Sequence, residues 1–451
     1  MDRQAISNNR SDASIAGGLR PRRWRRALAL ALAAVLFAAA ACGDDDDEQG
    51  GGGDTGEEAS GEFEFFSWWT GGGDSEGKQA LLDLFSEQNP DVEIVDSAVA
   101  GGAGTNAQAV LADRLLADQP PDSYQRHAGA ELLADIEAGE VEDLTFLWDE
   151  EGWLDVFPET LVDMITVDDK IYSVPVNVHR SNVMWYNPAV LEEAGISAPP
   201  TSWSEFLTQA ETLEAAGKIA LTIGPAWTQE HLLENVLLGE LGPEGYAGLW
   251  DGSTDWESPE VVAALDTYTE VLGHTNIDSA AADWQPALDP IIEGDAAYNV
   301  MGDWAVAYFE TEKGLTFEEG YNAAPAPGTD GVFNFLSDSF TLPVDAPHRD
   351  VALDWLRLAG SREGQDTFNP VKGSIPARTD PDEELYTGYL ARPLADWNDD
   401  STTIVGSLAH GAVADNAWKA EIDSALGEFV ETGDSAAFAS AVKQAYEDTQ
   451  E

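Results

Sequence analysis

The amino-acid sequence predicts an α/β fold with two lobes. Short segments with strand-like alternation are followed by segments with helical apolar spacing, and this order repeats along the chain. About 390 residues follow position 61, which is more than one hydrophobic core usually serves. We therefore expect strands that alternate with helices in parallel sheets, divided between two lobes.

Two strand–helix units are predicted at the start of the folded part. Residues 62–67 (EFEFFS) have the alternation and the aromatic content of a strand, and residues 78–86 have helical apolar spacing. Residues 91–98 (DVEIVDSA) predict a second strand, which a glycine-rich turn joins to a helix over residues 107–117. Both units favour a parallel arrangement of the first sheet.

The first crossing between the lobes is predicted where two strands follow in close succession, over residues 171–178 and 182–186. Ser202 and Glu205 then match a capping box at the start of a helix, and residues 219–223 predict the next strand. Residues 331–342 are strand-rich, and most of the chain after them is predicted to be helical. We assign residues 62–180 and 336–378 to lobe 1, and residues 181–335 and 379–451 to lobe 2.

Residues 1–41 are typical of a lipoprotein signal peptide. A basic stretch (RPRRWRR) precedes an apolar stretch that is too short for a permanent transmembrane helix. Small residues then abut Cys42, the only cysteine of the chain, as a bacterial lipoprotein cleavage site requires. We expect acyl chains on Cys42 to anchor the protein at the outer face of the cytoplasmic membrane. The twin arginine Arg22-Arg23 leaves both the general and the twin-arginine export routes open.

Residues 42–61 predict a flexible acidic and glycine-rich linker, because they hold too few apolar residues to form a core. The whole chain has 22 basic and 84 acidic side chains and a net charge of −62. This charge argues against nucleic acid and anionic lipid as partners. Contact with the membrane is expected through the N-terminal lipid only.

Tandem tryptophans end the first predicted strand, and a glycine-rich turn leads from them to Asp74. Ligands of α/β sheets bind at such strand ends. An indole face packs against the C–H face of a sugar ring, and a carboxylate accepts hydroxyl hydrogens. Trp68 and Trp69 can equally be core residues, although neighbours on a strand point to opposite faces, so at most one of the pair is core.

Two enzyme-like patterns overlap this turn. Residues 73–77 match G-x-S-x-G around Ser75, but a nucleophile elbow follows an internal strand rather than the first strand of the folded chain. Residues 72–78 match the spacing of a phosphate-binding loop, but Gln79 stands where a magnesium-binding serine or threonine is needed. A secreted α/β hydrolase or glycosidase is the alternative of another class, and we expect no enzyme activity.

Histidines and carboxylates give no metal signature in the sequence. The six histidines have no metal-ligand spacing, and the only cysteine lies outside the folded part. Carboxylate pairs are too abundant in this acidic chain to indicate glycosidase chemistry. No cofactor and no metal are therefore expected.

Several motifs together resemble one known family, the extracellular solute-binding proteins of sugar ABC importers, and within it the family 1 branch that binds glucose, mannose and related monosaccharides. The resemblance implies a periplasmic-binding-protein-like fold of type II, with a ligand cleft between the lobes. It covers residue 62 to the C-terminal helices. The motifs are SWWTGGGD (67–74), AVAGGAGTNA (98–107), PPDSYQRHAG (120–129), PVNVHRSNVMWYN (175–187), NVMGDWA (299–305), FNPVKGSIPAR (368–378) and SLAHG (407–411).

The resemblance also implies the ligand-binding residues. The acid of the first turn falls on Asp74, and the MGDW motif supplies a second acid. Asn177, His179 and Arg180 fall at the crossing between the lobes, where the resemblance favours structural support. The residues implied to contact the sugar are Trp68, Trp69, Asp74, Gln125, His127, Trp227, Asp303, Lys372 and His410.

The function implied is that of a monomeric, lipid-anchored binding protein. It would capture glucose or a related monosaccharide and deliver it to the transmembrane subunits of an ABC importer. A binding protein for a di- or oligosaccharide is the alternative within the same class. The sequence leaves the sugar and its anomer open.

Overall fold

The structure is a computed structural model that describes residues 61–101 and 104–449. The predicted signal peptide, the lipidation site Cys42 and all of the predicted linker except Gly61 lie outside the described residues. The boundaries assigned to the two lobes stay a prediction.

Fourteen strands are found in the described part of the chain. They are β1 (Gly61–Phe66), β2 (Val92–Asp96), β3 (Ser123–His127), β4 (Thr166–Val167), β5 (Lys170–Ile171), β6 (Val174–Pro175), β7 (His179–Arg180), β8 (Val183–Tyr186), β9 (Ile219–Thr222), β10 (Ala296–Val300), β11 (Asn322–Pro325), β12 (Val332–Leu336), β13 (Asp338–Thr341) and β14 (Thr403–Gly406).

Sixteen α-helices accompany these strands in the described ranges. They are α1 (Gly72–Gln88), α2 (Thr105–Leu116), α3 (Ala130–Ala138), α4 (Thr145–Glu151), α5 (Glu159–Met164), α6 (Pro188–Glu193), α7 (Trp203–Ala215), α8 (Ala226–Asp251), α9 (Pro259–Leu272), α10 (Trp284–Glu293), α11 (Ala305–Ala307), α12 (Arg349–Gly360), α13 (Arg362–Lys372), α14 (Ala391–Trp397), α15 (Asn416–Thr432) and α16 (Ser435–Thr449). A π-helical turn over Tyr308–Glu312 continues α11.

Three larger sheets organise the fold. The first has the strand order β2-β1-β3-β13-β6, the second β11-β8-β10-β9 and the third β14-β12-β7. The prediction of parallel sheets is wrong for part of each sheet. β13 and β6 run antiparallel to their neighbours in the first sheet, as β8 and β11 do in the second. One residue joins β12 to β13, so the chain enters the first sheet from the third without the crossover helix that a parallel connection needs.

Local sequence signals explain several helix starts. The Asn187 side chain caps α6 by accepting from the backbone N–H groups of Ala189 and Val190, with proline at the first helical position. The Ser202 hydroxyl accepts from the N–H of Glu205, as the capping box predicts. The Glu205 carboxylate bonds to the N–H of Thr201 rather than to that of Ser202. Helix α1 begins earlier than predicted, so Asp74 lies in its first turn.

The first sheet is anchored by a buried aromatic cluster. The Trp355 ring of α12 lies 5.0 Å from the Phe65 ring and 5.4 Å from the Phe340 ring, measured between centroids. Phe63 and Phe85 pack against the same indole. These contacts join β1, β13, α1 and α12 in one core.

Among the described residues, no helix combines the length and the apolar character that a bilayer crossing needs.

Replacement of the central indole tests this core. We expect Trp355→Ala to lower the free energy of unfolding by about 3–5 kcal/mol, because it removes a fully buried aromatic side chain and leaves a cavity. Leu385→Ala, at an exposed leucine, is the control and is expected to change stability by less than about 0.5 kcal/mol. Urea unfolding measures both, and equal losses would contradict the proposed role of Trp355.

Candidate functional site

A cavity of about 150 Å³ is lined by residues of β3, β7, β12 and β13 and by residues of neighbouring loops and helices. Trp68 follows β1, His127 ends β3, and Asp74 lies in the first turn of α1. The residues that line it are Trp68, Trp69, Thr70, Gly71, Asp74, Ala100, Gly101, Gly104, His127, His179, Trp227, Asp283, Trp284, Gln285, Trp304, Leu336, Asp338, Lys372 and His410.

The tandem tryptophans divide their roles. Trp69 is 1% exposed and packs against Phe340 and Phe368 in the core. The half-buried Trp68 indole instead lies 4.9 Å from the His127 ring. Gly104 makes room for that indole, because a Cβ at this position would lie 3.0 Å from the Trp68 ring. Trp68 therefore offers the cavity an aromatic wall, and Trp69 mainly holds the strand end in place.

A second aromatic wall comes from other parts of the chain. The Trp304 ring lies 5.0 Å from the His410 ring and 6.4 Å from the Trp227 ring. Burial lowers the pKa of His410 well below 6.5, and the nearby His231 and His127 lower it further. His410 is therefore neutral at physiological pH and can donate or accept a hydrogen bond.

A chain of polar groups forms the floor of the cavity. Lys372 Nζ lies 2.7 Å from Asp74 Oδ1 and 2.9 Å from His179 Nε2. Burial raises the pKa of Asp74, and the Lys372 ammonium opposes this rise. Burial lowers the pKa of His179 well below 6.5, and Lys372 lowers it further. His179 is therefore neutral beside the charged Lys372.

Asp338, another residue of the cavity wall, is held by hydrogen bonds from Gln125 and Asn177. Its Oδ1 accepts from Gln125 Nε2 at 2.7 Å, and its Oδ2 accepts from Asn177 Nδ2 at 2.7 Å. Its backbone N–H donates to Asn177 Oδ1 at 2.8 Å. His127 Nε2 lies 3.8 Å from Asp338 Oδ1. These contacts fix the position of a buried carboxylate in the cavity wall.

His127 is also held from behind by Glu131, since its Nδ1 lies 2.7 Å from Glu131 Oε2. Burial opposes a charge on His127, but Glu131 and Asp338 outweigh burial and raise its pKa above 6.5. Burial would raise the pKa of Glu131, but His127 and Arg126 outweigh it and lower that pKa below 4.5. The two groups thus form a buried ion pair at the cavity edge.

One group of metal-ligand residues lies next to the cavity within the described part of the chain. His231, Glu234 and His410 place potential ligand atoms within 4.8 Å of one another, which sequence spacing did not reveal. The Glu234 carboxylate accepts from the hydroxyls of Ser181 and Ser407 and from two backbone N–H groups. These bonds occupy its lone pairs, so the cluster fits a structural role in the loop that carries His410 better than a metal site.

The structure brings seven of the nine implied site residues to the cavity wall: Trp68, Trp69, Asp74, His127, Trp227, Lys372 and His410. It does not place Gln125 or Asp303 there. Gln125 lies behind the wall, where its Oε1 accepts from the Trp68 N–H and its Nε2 donates to Asp338. Both Asp303 oxygens are bonded, one to His179 and one to the N–H of Arg180. Whether the seven contact a ligand stays a prediction.

Sequence reasoning missed several residues of this wall, among them Asp338 and Trp304. Trp304 belongs to the same MGDW motif as Asp303, so the motif was found but its inward residue was not. Asp338 lies in a predicted strand, between Ser337 and Ser339, where an acid in an otherwise uncharged strand was the available signal. His179 was interpreted as structural support, and the structure also places it on the cavity wall.

The G-x-S-x-G match does not form a nucleophile elbow. Ser75 lies in the first turn of α1 and its N–H donates to the carbonyl of Gly71. It is not among the residues that line the cavity. The hydrolase alternative has no support in this geometry.

A cavity with aromatic walls and convergent hydrogen-bonding groups at strand ends defines a small-molecule-binding protein. Comparison with known families agrees with this class. Residues 70–366, well over half of the chain, match the bacterial extracellular solute-binding protein family, and the chain belongs to that family. The family consists of binding proteins rather than enzymes.

Similar proteins cover most of the chain. An uncharacterized ABC transporter extracellular-binding protein of Pyrococcus horikoshii is 32% identical over 83% of this chain and 84% of its own length. The xylose/arabinose-binding protein XacG of Haloferax volcanii is 30% identical over 79% and 78%. The glucose-binding protein GlcS of Saccharolobus solfataricus is 25% identical over 80% and 69%.

Solved structures confirm the predicted fold class. The bacterial solute receptor AcbH, described as having an exclusive preference for β-D-galactopyranose, matches with a TM-score of 0.75 over 87% of this chain and 99% of its own, at 15% identity. A chitin oligosaccharide binding protein matches with a TM-score of 0.75 over 86% and 98%, at 17% identity. The chain therefore has the two-lobe architecture of periplasmic binding proteins.

The stability that the His127–Glu131 pair contributes is expected to depend on pH in two directions. Because the pKa of His127 is raised above 6.5, its contribution is complete below that pH and is lost as pH rises through the raised pKa. Because the pKa of Glu131 is lowered below 4.5, its contribution is complete above that pH and is lost as pH falls through the lowered pKa. The destabilisation by His127→Gln should therefore be largest between pH 4.5 and 6.5.

Urea unfolding at a series of pH values measures this difference. His274→Gln is the control, because it removes a histidine that bonds to Glu214 at the protein surface. A His127→Gln effect that followed the same pH profile as this control would contradict the buried ion pair.

Proposed function

We propose that this chain captures a monosaccharide, glucose or a closely related sugar, and delivers it to the transmembrane subunits of an ABC importer. The observation that carries the proposal is the size and lining of the cavity. Its volume is about 150 Å³, and an apolar protein cavity of about 150 Å³ holds one benzene molecule. The space therefore suits one six-membered ring rather than two.

The lining suits a sugar ring. Trp68 on one side and Trp304 with Trp227 on the other offer faces to the C–H groups of a pyranose. Asp74 and Lys372 supply an acceptor and a donor for neighbouring hydroxyls. Asp74, Asp283 and Asp338 give the wall three carboxylates, so a neutral polyol fits it better than an anionic sugar.

The names of the similar proteins support a sugar as the ligand but leave open which sugar it is. The relatives carry names for glucose and for xylose or arabinose, and AcbH is described as a galactopyranose receptor. The chitin oligosaccharide binding protein favours the second candidate, a di- or oligosaccharide. The single-ring volume of the cavity is the reason to prefer a monosaccharide.

A thermal-shift panel on the full chain tests the ligand class. With glucose, galactose, xylose, maltose and cellobiose, we expect a monosaccharide to raise Tm, since a ligand at a hundred times its Kd stabilises the folded state by about 2.7 kcal/mol. A shift with disaccharides alone would replace the monosaccharide by the second candidate. Absence of a shift with every sugar would overturn the sugar-binding proposal.

A pair of lysine variants locates the site. Lys372→Met should weaken sugar binding by about tenfold or more, because it removes a buried ammonium from the cavity floor. Lys170→Met is the matched control, because Lys170 is exposed and lies outside the cavity. Calorimetric titration measures both, and equal affinities in the two variants would place the sugar elsewhere.

We further propose that the protein acts at the outer face of the cytoplasmic membrane, held by acyl chains on Cys42, since a basic and then apolar leader ends in small residues directly before this cysteine. Cys42→Ser should move the protein from the membrane fraction to the medium after a high-salt wash. Thr55→Ser, in the same predicted linker, is the control and should remain in the membrane fraction. Membrane retention of Cys42→Ser would refute the anchor.

A further inference from the structure

His179 lies between two buried charged groups and contacts both. Its Nε2 is 2.9 Å from Lys372 Nζ, and its Nδ1 is 2.5 Å from Asp303 Oδ1. The imidazole is 1% exposed, and Asp303 is fully buried. The three side chains form a continuous line from Asp303, behind the cavity wall, to the cavity itself.

The chemistry of Lys372 sets the direction of hydrogen bonding along this line. An ammonium has three donors and no acceptor, so His179 Nε2 must be unprotonated to bond with it. The proton of the neutral imidazole is then on Nδ1 and is donated to Asp303. Asp303 is fixed in turn, because its Oδ2 accepts from the Arg180 N–H at 2.9 Å and its own N–H donates to the Arg180 carbonyl at 3.0 Å.

Counting the hydrogen-bond donors and acceptors of these side chains shows which of them remain for a ligand. Two of the three Lys372 donors are used by Asp74 and His179, and the third remains at the cavity. Asp303 is fully buried and is not among the residues that line the cavity, and its oxygens already accept from His179 and from the Arg180 N–H. Its influence on a ligand therefore has to pass through His179.

We propose that Asp303 and His179 are positioning residues that aim the third N–H of Lys372 at a ligand hydroxyl. This inference rests on the proposed function for its ligand. It replaces the implied direct contact between Asp303 and the sugar. It gives Asp303, behind the wall, and His179, on the wall, a part in recognition.

We call the line of Asp303, His179 and Lys372 the relay. Asp303→Asn tests the relay, because an asparagine amide cannot accept hydrogen bonds from both the Arg180 N–H and His179 Nδ1 through separate oxygens. The Arg180 N–H requires the amide oxygen, which turns the amide NH2 toward His179 Nδ1. His179 must then accept a hydrogen bond at Nδ1 and carry its proton on Nε2. The Nε2–H would face the N–H donors of Lys372, so the hydrogen bond between these two side chains would be lost. We expect this variant to bind the sugar found for the wild type about tenfold or more weakly, and Lys372→Met should abolish any further effect of Asp303→Asn.

The tautomer is read directly by ¹⁵N NMR of the imidazoles in full-length protein without sugar, with His179 assigned from the signals lost in His179→Gln. We expect protonated Nδ1 and bare Nε2 in the wild type, and the reverse in Asp303→Asn. Asp396→Asn is the matched control, because Asp396 bonds to the Arg180 guanidinium from the other side and lies outside the relay.

The possible outcomes distinguish failure of the relay hypothesis from failure of the proposed sugar-binding function. A proton on His179 Nε2 in the wild type would overturn the inference whether or not any sugar binds. A changed tautomer in Asp303→Asn with unchanged affinity would also overturn it. Sugar binding that is absent in the wild type would refute the proposed function, and the tautomer would still decide whether the relay exists.

Discussion

Burial of carboxylates beside the cavity is the constraint on which the rest of this site depends. A buried carboxylate without hydrogen-bond donors is strongly unfavourable, so each one must be surrounded by donors from other parts of the chain. Asp338 receives hydrogen bonds from Gln125 and Asn177, which are more than 150 residues away in the sequence. The register that places Asp338 opposite His127 on β3 and β13 is therefore part of the site and not only of the sheet.

The sheets meet where these donors are needed. His179 belongs to β7 of the third sheet, while Asp338 begins β13 of the first. Asp303 follows β10 of the second sheet and bonds to the backbone of Arg180 in β7. The same hydrogen bonds that satisfy buried charges thus hold elements of different sheets together and position residues of the cavity wall.

The sequence predicted the parts of the fold that depend on local pattern. Alternation and aromatic content located β1, the strand predicted over residues 182–186 corresponds to β8, and the serine cap located α7. The direction of strands was not predictable in this way, because β13 enters the first sheet through a one-residue link that no periodicity reveals. Seven of the implied site residues reached the cavity wall because the motifs that carry them converge there, whereas Asp338 begins a strand and has no motif of its own.

Asp303 shows why a motif cannot distinguish a ligand contact from a residue that supports one. The MGDW motif identified a buried acid in the correct region, but one imidazole separates that acid from the cavity. A polar group that is already bonded on its far side loses little freedom when a ligand binds, so the cost of ordering it has been met during folding. Support of this kind needs the same residue types as direct contact does. Only the count of donors and acceptors around His179 tells the two roles apart.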